Sequence, residues 1–90
     1  MKRKILIVED NVSLSQRQKD WFEQVGYDAM TAMNEPAARA LIRKHQFDLI
    51  LSDVRLPEGD GISLLEWLKK EKRDIPFIIT TEYVLSLIHI

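Results

Sequence analysis

Phe47-Asp48-Leu49-Ile50-Leu51-Ser52-Asp53 is a short apolar run that stops on a carboxylate. Phe47, Leu49, Ile50 and Leu51 put four large apolar side chains into five positions. That density reads as a strand buried on both faces, the pattern of a parallel sheet. Asp53 falls where the strand ends, and in open α/β sheets the crevice beyond the carboxyl ends of the strands is where ligands collect. Asp53 is therefore a candidate site residue from its position alone.

Working outward, Ile5-Leu6-Ile7-Val8 is a second unbroken aliphatic run, and Glu9-Asp10-Asn11 ends it. It predicts another fully buried strand. Asn11 or Ser13 can cap a helix running to about Val25, with Leu14, Trp21, Phe22 and Val25 at helical spacing and Gly26 suited to its end. Tyr27–Ala32 predicts a weaker edge strand. Asn34 caps a second helix with Pro36 in its first turn and Ala37, Ala38, Leu41 and Ile42 as its apolar stripe. Pro57 and Gly59 mark a loop after Asp53. Gly61 opens a third helix carrying Ile62, Leu64, Leu65 and Leu68, and Phe77–Thr81 forms a fourth strand. The order βαβαβαβ with short, right-handed connections gives a parallel α/β sheet with helices on both faces.

The chain has 90 residues, room for one domain. A domain this small buries only roughly 60–65% of its unfolded surface, so the loss of any element would be felt. Its net charge of −1, with Lys and Arg scattered, gives no footprint for nucleic acid. With no cysteine, disulfides, thiolate metal sites and cysteine nucleophiles are excluded. No apolar run reaches the length of a signal-peptide core or a membrane span, and a cytoplasmic location is expected.

If the strands ending at Val8 and Asp53 are neighbours, Glu9, Asp10 and Asp53 converge in one crevice. Clustered carboxylates repel, and a cation among them lets them stay ionised; oxygen-only ligands suit Mg²⁺. A carboxylate beside Mg²⁺ can also accept a phosphoryl group, forming an aspartyl-phosphate. The hydroxyl of Thr81, on the same sheet edge, could donate to a phosphoryl oxygen. Taken singly these residues have plainer readings: acids suit the first turn of a helix, and Thr81 suits any strand. A metal-dependent phosphohydrolase would carry Asp-x-Asp after the first strand, which Glu9-Asp10-Asn11 does not match.

Together the pieces resemble the receiver domain of bacterial two-component response regulators. Ile5–Asn11 resembles the first strand and acidic pair, Asp48–Asp53 the phosphoacceptor strand, Leu56-Pro57 and Asp60-Gly61 the following loop, and Ile75–Thr81 the fourth strand. The resemblance implies a flavodoxin-like fold and a phosphoacceptor role for Asp53, served by a histidine kinase or phosphotransfer protein. Mg²⁺ would be held by Glu9, Asp10, Asp53 and the backbone carbonyl of Arg55, and Thr81 would contact the phosphoryl group. Such a module is not an enzyme in the ordinary sense.

The family's sheet has five parallel strands in the order 2-1-3-4-5. Here the resemblance covers about residues 3–81 and implies a partial receiver domain over residues 1–82, with strand order 2-1-3-4 and the fifth strand missing; an output domain is expected to lie outside the chain. The family's lysine near the phosphoryl group has no counterpart after Lys72, and Glu82 stands where a small residue is usual. Residues 83–90 are unassigned: either a non-native tail on a truncated frame, or a replacement strand, since Leu85, Leu87 and His89 alternate with Ser86 and Ile88. Without a fifth strand the fourth is expected to be an exposed edge prone to association. The alternative function is a phosphorylation-independent interaction module or a non-functional fragment.

Overall fold

The structure, a computed structural model, describes residues 2–80 and the backbone of residues 85–88. Its elements are β1 (Lys4–Val8), α1 (Val12–Gln24), β2 (Asp28–Ala32), α2 (Glu35–Lys44), β3 (Leu49–Asp53), α3 (Gly61–Lys70), β4 (Phe77–Thr80) and β5 (Leu85–Ile88). The first four strands are parallel in the order 2-1-3-4, as expected. Each helix begins where a polar side chain can satisfy a free backbone amide. Asn11, Asn34 and Asp60 accept from the amides of Leu14, Ala37 and Ser63.

The alternation of side chains along each strand divides the core in two. Leu6, Val8, Ile50, Phe77 and Ile79 pack with Ala38 and Ile42 of α2 and Leu64, Leu65 and Leu68 of α3. Ile5, Ile7, Ala29 and Leu51 form the other layer, with Phe22 of α1, Tyr27, Leu49 and Ile78 against it. Ile5, Leu6, Ile7 and Ile50 are completely buried. That is the burial a central parallel strand predicts.

Two expectations about helix faces are corrected. On α1, Trp21 and Val25 are 58% and 54% exposed, while Ser15 is buried and Phe22 half-buried. Of the expected Leu14, Trp21, Phe22 and Val25, Leu14 and Phe22 are half-buried and Trp21 and Val25 are not, and Ser15 and Gln18 complete the packed face. Trp21 instead leans edge-on against Phe22, with ring centroids 4.9 Å apart. On α3, Ile62 is 44% exposed, and Leu64, Leu65 and Leu68 carry the contact, with Trp67 half-buried beside them.

The edge of the sheet is also corrected. No fifth parallel strand is present among the described residues, but β4 is not an open edge. β5 runs antiparallel beside it, Phe77 opposite Ile88 and Thr80 opposite Leu85. Pairing satisfies the backbone groups that would have made β4 a template for a second chain, so the expected association through it loses its cause. Strand character here is what the alternation after Val84 allowed.

The two-layer packing makes a quantitative contrast between aromatic residues. Phe77→Ala removes a fully buried ring and should cost about 3–5 kcal/mol. Trp21→Ala removes a larger but mostly exposed ring and should cost under about 1 kcal/mol. Urea denaturation of the two variants measures the difference, and equal losses would contradict the exposure of Trp21.

Candidate functional site: a carboxylate cluster at the strand ends

β1 and β3 are neighbours, with Val8 opposite Ser52, so the next residue on each strand is an acid. Glu9 is held there by continuation of the ladder, its amide donating to the Ala32 carbonyl at 2.9 Å. Asp53 is opposite Thr80 of β4. Carboxylate oxygens of Glu9, Asp10 and Asp53 all lie within 4.8 Å of one another. The structure thus brings together the three acids that the sequence singled out.

Their surroundings differ. Glu9 is buried, Asp53 half-buried and Asp10 exposed. Burial pushes the Glu9 carboxyl above the usual glutamate range, and the nearby Asp53 and Asp10 add to the rise. The amide of Asn11 donates to Glu9 Oε2 at 3.0 Å and acts the other way. Asn11 thus has two roles, since its side chain also caps α1.

The backbone under Asp53 is clamped. Ser52, fully buried, donates its hydroxyl to the Asp53 carbonyl at 2.9 Å. The Val54 amide donates to the Thr80 carbonyl at 3.1 Å, extending the pairing one step beyond the strand. The first turn of α3 then lies hard against the strand end. A Cβ on Gly61 would stand 2.5 Å from the Asp53 carbonyl oxygen, so only glycine permits this approach.

Of the other expected site residues, Arg55 lies in the loop after Asp53, its side chain exposed and its backbone bridged to Asp60. Thr81 and Glu82 lie outside the described residues. Thr80 donates its hydroxyl to the Ser52 carbonyl at 3.4 Å.

One residue of this region had no sequence signal. Glu35 is 4% exposed, although it opens α2 and reads as an ordinary acid at a helix start. Its partners Asp60 and Ser63 are 25 and 28 residues away, beyond any local pattern.

The donor set suits a hard divalent cation. All the ligand atoms are carboxylate oxygens, the cluster opens to solvent at Asp10, and the repulsion felt by Glu9 is what a cation would relieve.

Comparison with known proteins places this geometry in a family. The family model of the response regulator receiver domain matches residues 5–86. The polar-differentiation response regulator DivK of Brucella anthropi is 38% identical over 88 residues, which are 96% of this chain and 72% of DivK. The CheY-like receiver domain of Methanospirillum hungatei JF-1 superimposes with a TM-score of 0.87 at 31% identity, over 93% of this chain and 67% of that one. The non-phosphorylated HemR receiver domain of Leptospira biflexa gives a TM-score of 0.83 at 38% identity, over 91% of this chain and 66% of that one. The chain therefore spans about two thirds to three quarters of the length of these relatives. Receiver domains are signalling modules of two-component systems, and with its sheet order, its acidic cluster and these matches the chain belongs to the response regulator receiver domain family.

Proposed function

We propose that this chain is the phosphoacceptor module of a cytoplasmic two-component system, phosphorylated on Asp53 by a histidine kinase or a phosphotransfer protein. The observation that carries this reading is the convergence of Glu9, Asp10 and Asp53 within 4.8 Å at the ends of two adjacent parallel strands. Glu9, Asp10, Asp53 and the Arg55 carbonyl would hold Mg²⁺. When bound, Mg²⁺ supplies positive charge that neutralises the phosphoryl oxygens during transfer.

The protein's own part is nucleophile and positioning. An Asp53 carboxylate oxygen attacks the phosphorus of a phosphohistidine; the new O–P bond forms as the P–N bond breaks, and the imidazole leaves with the electron pair. Asp53 is half-buried, so it is reachable from the crevice while its backbone stays fixed by Ser52 and the β4 pairing. Fixing the nucleophile beforehand saves entropy at the moment of reaction. Thr81 would donate its hydroxyl to a phosphoryl oxygen and report the modification.

Incubation with a small phosphodonor and Mg²⁺, followed by intact mass measurement, should show one phosphoryl group added. Chelation of the metal and Asp53→Asn should each abolish it. Incorporation that survives Asp53→Asn would sink the proposal. Phosphorylation-independent partner binding, unchanged in Asp53→Asn and without any incorporation, would establish the interaction-module alternative instead.

Glu9 gives a second expectation. A carboxyl whose folded pKa lies above its unfolded one contributes stability that is full below the unfolded value, near 4.5, and is lost as pH rises through the folded value. Metal-free protein should therefore lose stability over that interval, and Glu9→Gln should remove this part of the loss. At neutral pH, Mg²⁺ at a hundredfold its Kd should restore about 2.7 kcal/mol. Urea unfolding across pH, with and without Mg²⁺, tests both; an unchanged pH slope in Glu9→Gln would contradict the role of Glu9 burial.

A further inference from the structure

We propose that Glu35 is a positioning residue for the metal site: a buried carboxylate on α2 that sets the conformation of the loop following Asp53. The inference rests on the reading of that loop's Arg55 carbonyl as a Mg²⁺ ligand. Glu35 Oε1 accepts from the Asp60 amide at 3.1 Å, and Oε2 accepts from the Ser63 hydroxyl at 3.2 Å. The Arg39 guanidinium one turn further along α2 donates Nε to Oε2 at 2.9 Å and pairs with it again through Nη2. Both oxygens are thus engaged, which is the condition for a charge to persist in a buried place.

Packing alone does not call for a charge here. An apolar side chain would fill the space between α2 and the loop, whereas the carboxylate adds a hold on one backbone amide 25 residues away. That amide is the neck of the loop. Asp60 caps α3 through the Ser63 amide at 2.6 Å, and its backbone is bridged to Arg55. Beside it the Gly61 amide donates to the Val54 carbonyl at 2.9 Å. A pull on Asp60 is therefore transmitted to Val54 and Arg55, immediately after the phosphoacceptor.

Gly59 supplies an independent sign of the fit. Its φ is +120°, and a Cβ there would lie 2.2 Å from Glu35 Oε1. The carboxylate occupies the space that any other residue would need, so loop and carboxylate are shaped to each other. Arg39 is fixed from its other side as well, its guanidinium lying 5.1 Å from the centre of the Trp67 ring. The hold on the loop is thus anchored to both α2 and α3.

The test is calorimetric Mg²⁺ titration of the full chain and of Glu35→Ala and Glu35→Gln, with urea unfolding of each in the absence of metal. Glu35→Ala should weaken Mg²⁺ binding about tenfold, the size of effect seen when groups that orient metal ligands are removed. Glu35→Gln, which keeps an oxygen able to accept from the Asp60 amide, should recover part of that loss. Equal Mg²⁺ affinity in the unsubstituted chain and a folded Glu35→Ala variant overturns the inference, even where the urea midpoint falls, because the role would then be structural only. If Glu35→Ala does not fold, Glu35→Met, which fills the space but offers the Asp60 amide no oxygen, takes its place, and full affinity in it overturns the inference. Absence of Mg²⁺ binding by the unsubstituted chain overturns the metal-site reading itself, and the inference with it.

Discussion

The parallel pairing of β1 with β3 is the constraint on which the site depends. Val8 opposite Ser52 leaves Glu9 and Asp53 side by side, and no local turn could bring them there across more than forty residues. The two strands are central, flanked by β2 and β4, and their apolar side chains are buried on both faces. Mutual repulsion of the acids would push the strand ends apart. The dry core beneath them, with Ile5, Leu6, Ile7 and Ile50 fully buried, resists that displacement because close-packed interiors transmit strain rather than yield to it.

Much of this was legible in the amino-acid order. Ile5–Val8 and Leu49–Leu51 are apolar without alternation, the pattern of strands covered on both sides. Asn11 and Asn34 announced helix starts because their short side chains reach a free amide without any tertiary help. The phase of a helix was harder. Trp21 and Phe22 are adjacent, both large and both apolar, yet at 100° per residue only one can face the sheet. Phe22 does so, and Ser15, two turns earlier, is buried on the same face. Hydrophobicity alone ranked Trp21 and Val25 too high. The partner of β4 was likewise out of reach, because alternation in Leu85–Ile88 gives strand character but not direction. Glu35 was invisible for a third reason: its burial is created by a loop that follows it by 25 residues.

The two sides of the sheet contribute differently to the site. The α2–α3 side carries the larger part of the core and also the contacts that shape the loop after Asp53: Gly61 against the Asp53 carbonyl and Glu35 against Gly59 and Asp60. The α1 side carries the smaller layer and, through Asn11, the amide that steadies Glu9. The acids are thus supported from both layers, Asp53 from one and Glu9 from the other.

That arrangement makes proton and cation alternatives at the same place. Glu9 is buried beside two other acids, and the Asn11 amide offsets only part of the cost, since its carboxyl still titrates above the ordinary range. What remains can be met by a proton on Glu9 or by a cation among the three oxygens, but a protonated carboxyl is a poor ligand, so the two exclude each other. A bound cation would then displace the proton that Glu9 holds at lower pH, and its affinity would rise with pH through the interval in which Glu9 ionises. The same interval is the one in which the metal-free fold gives up stability. A site that is least comfortable without a cation would, by linkage, gain most from one, and the crowding of carboxylates at the strand ends would be the source of that gain.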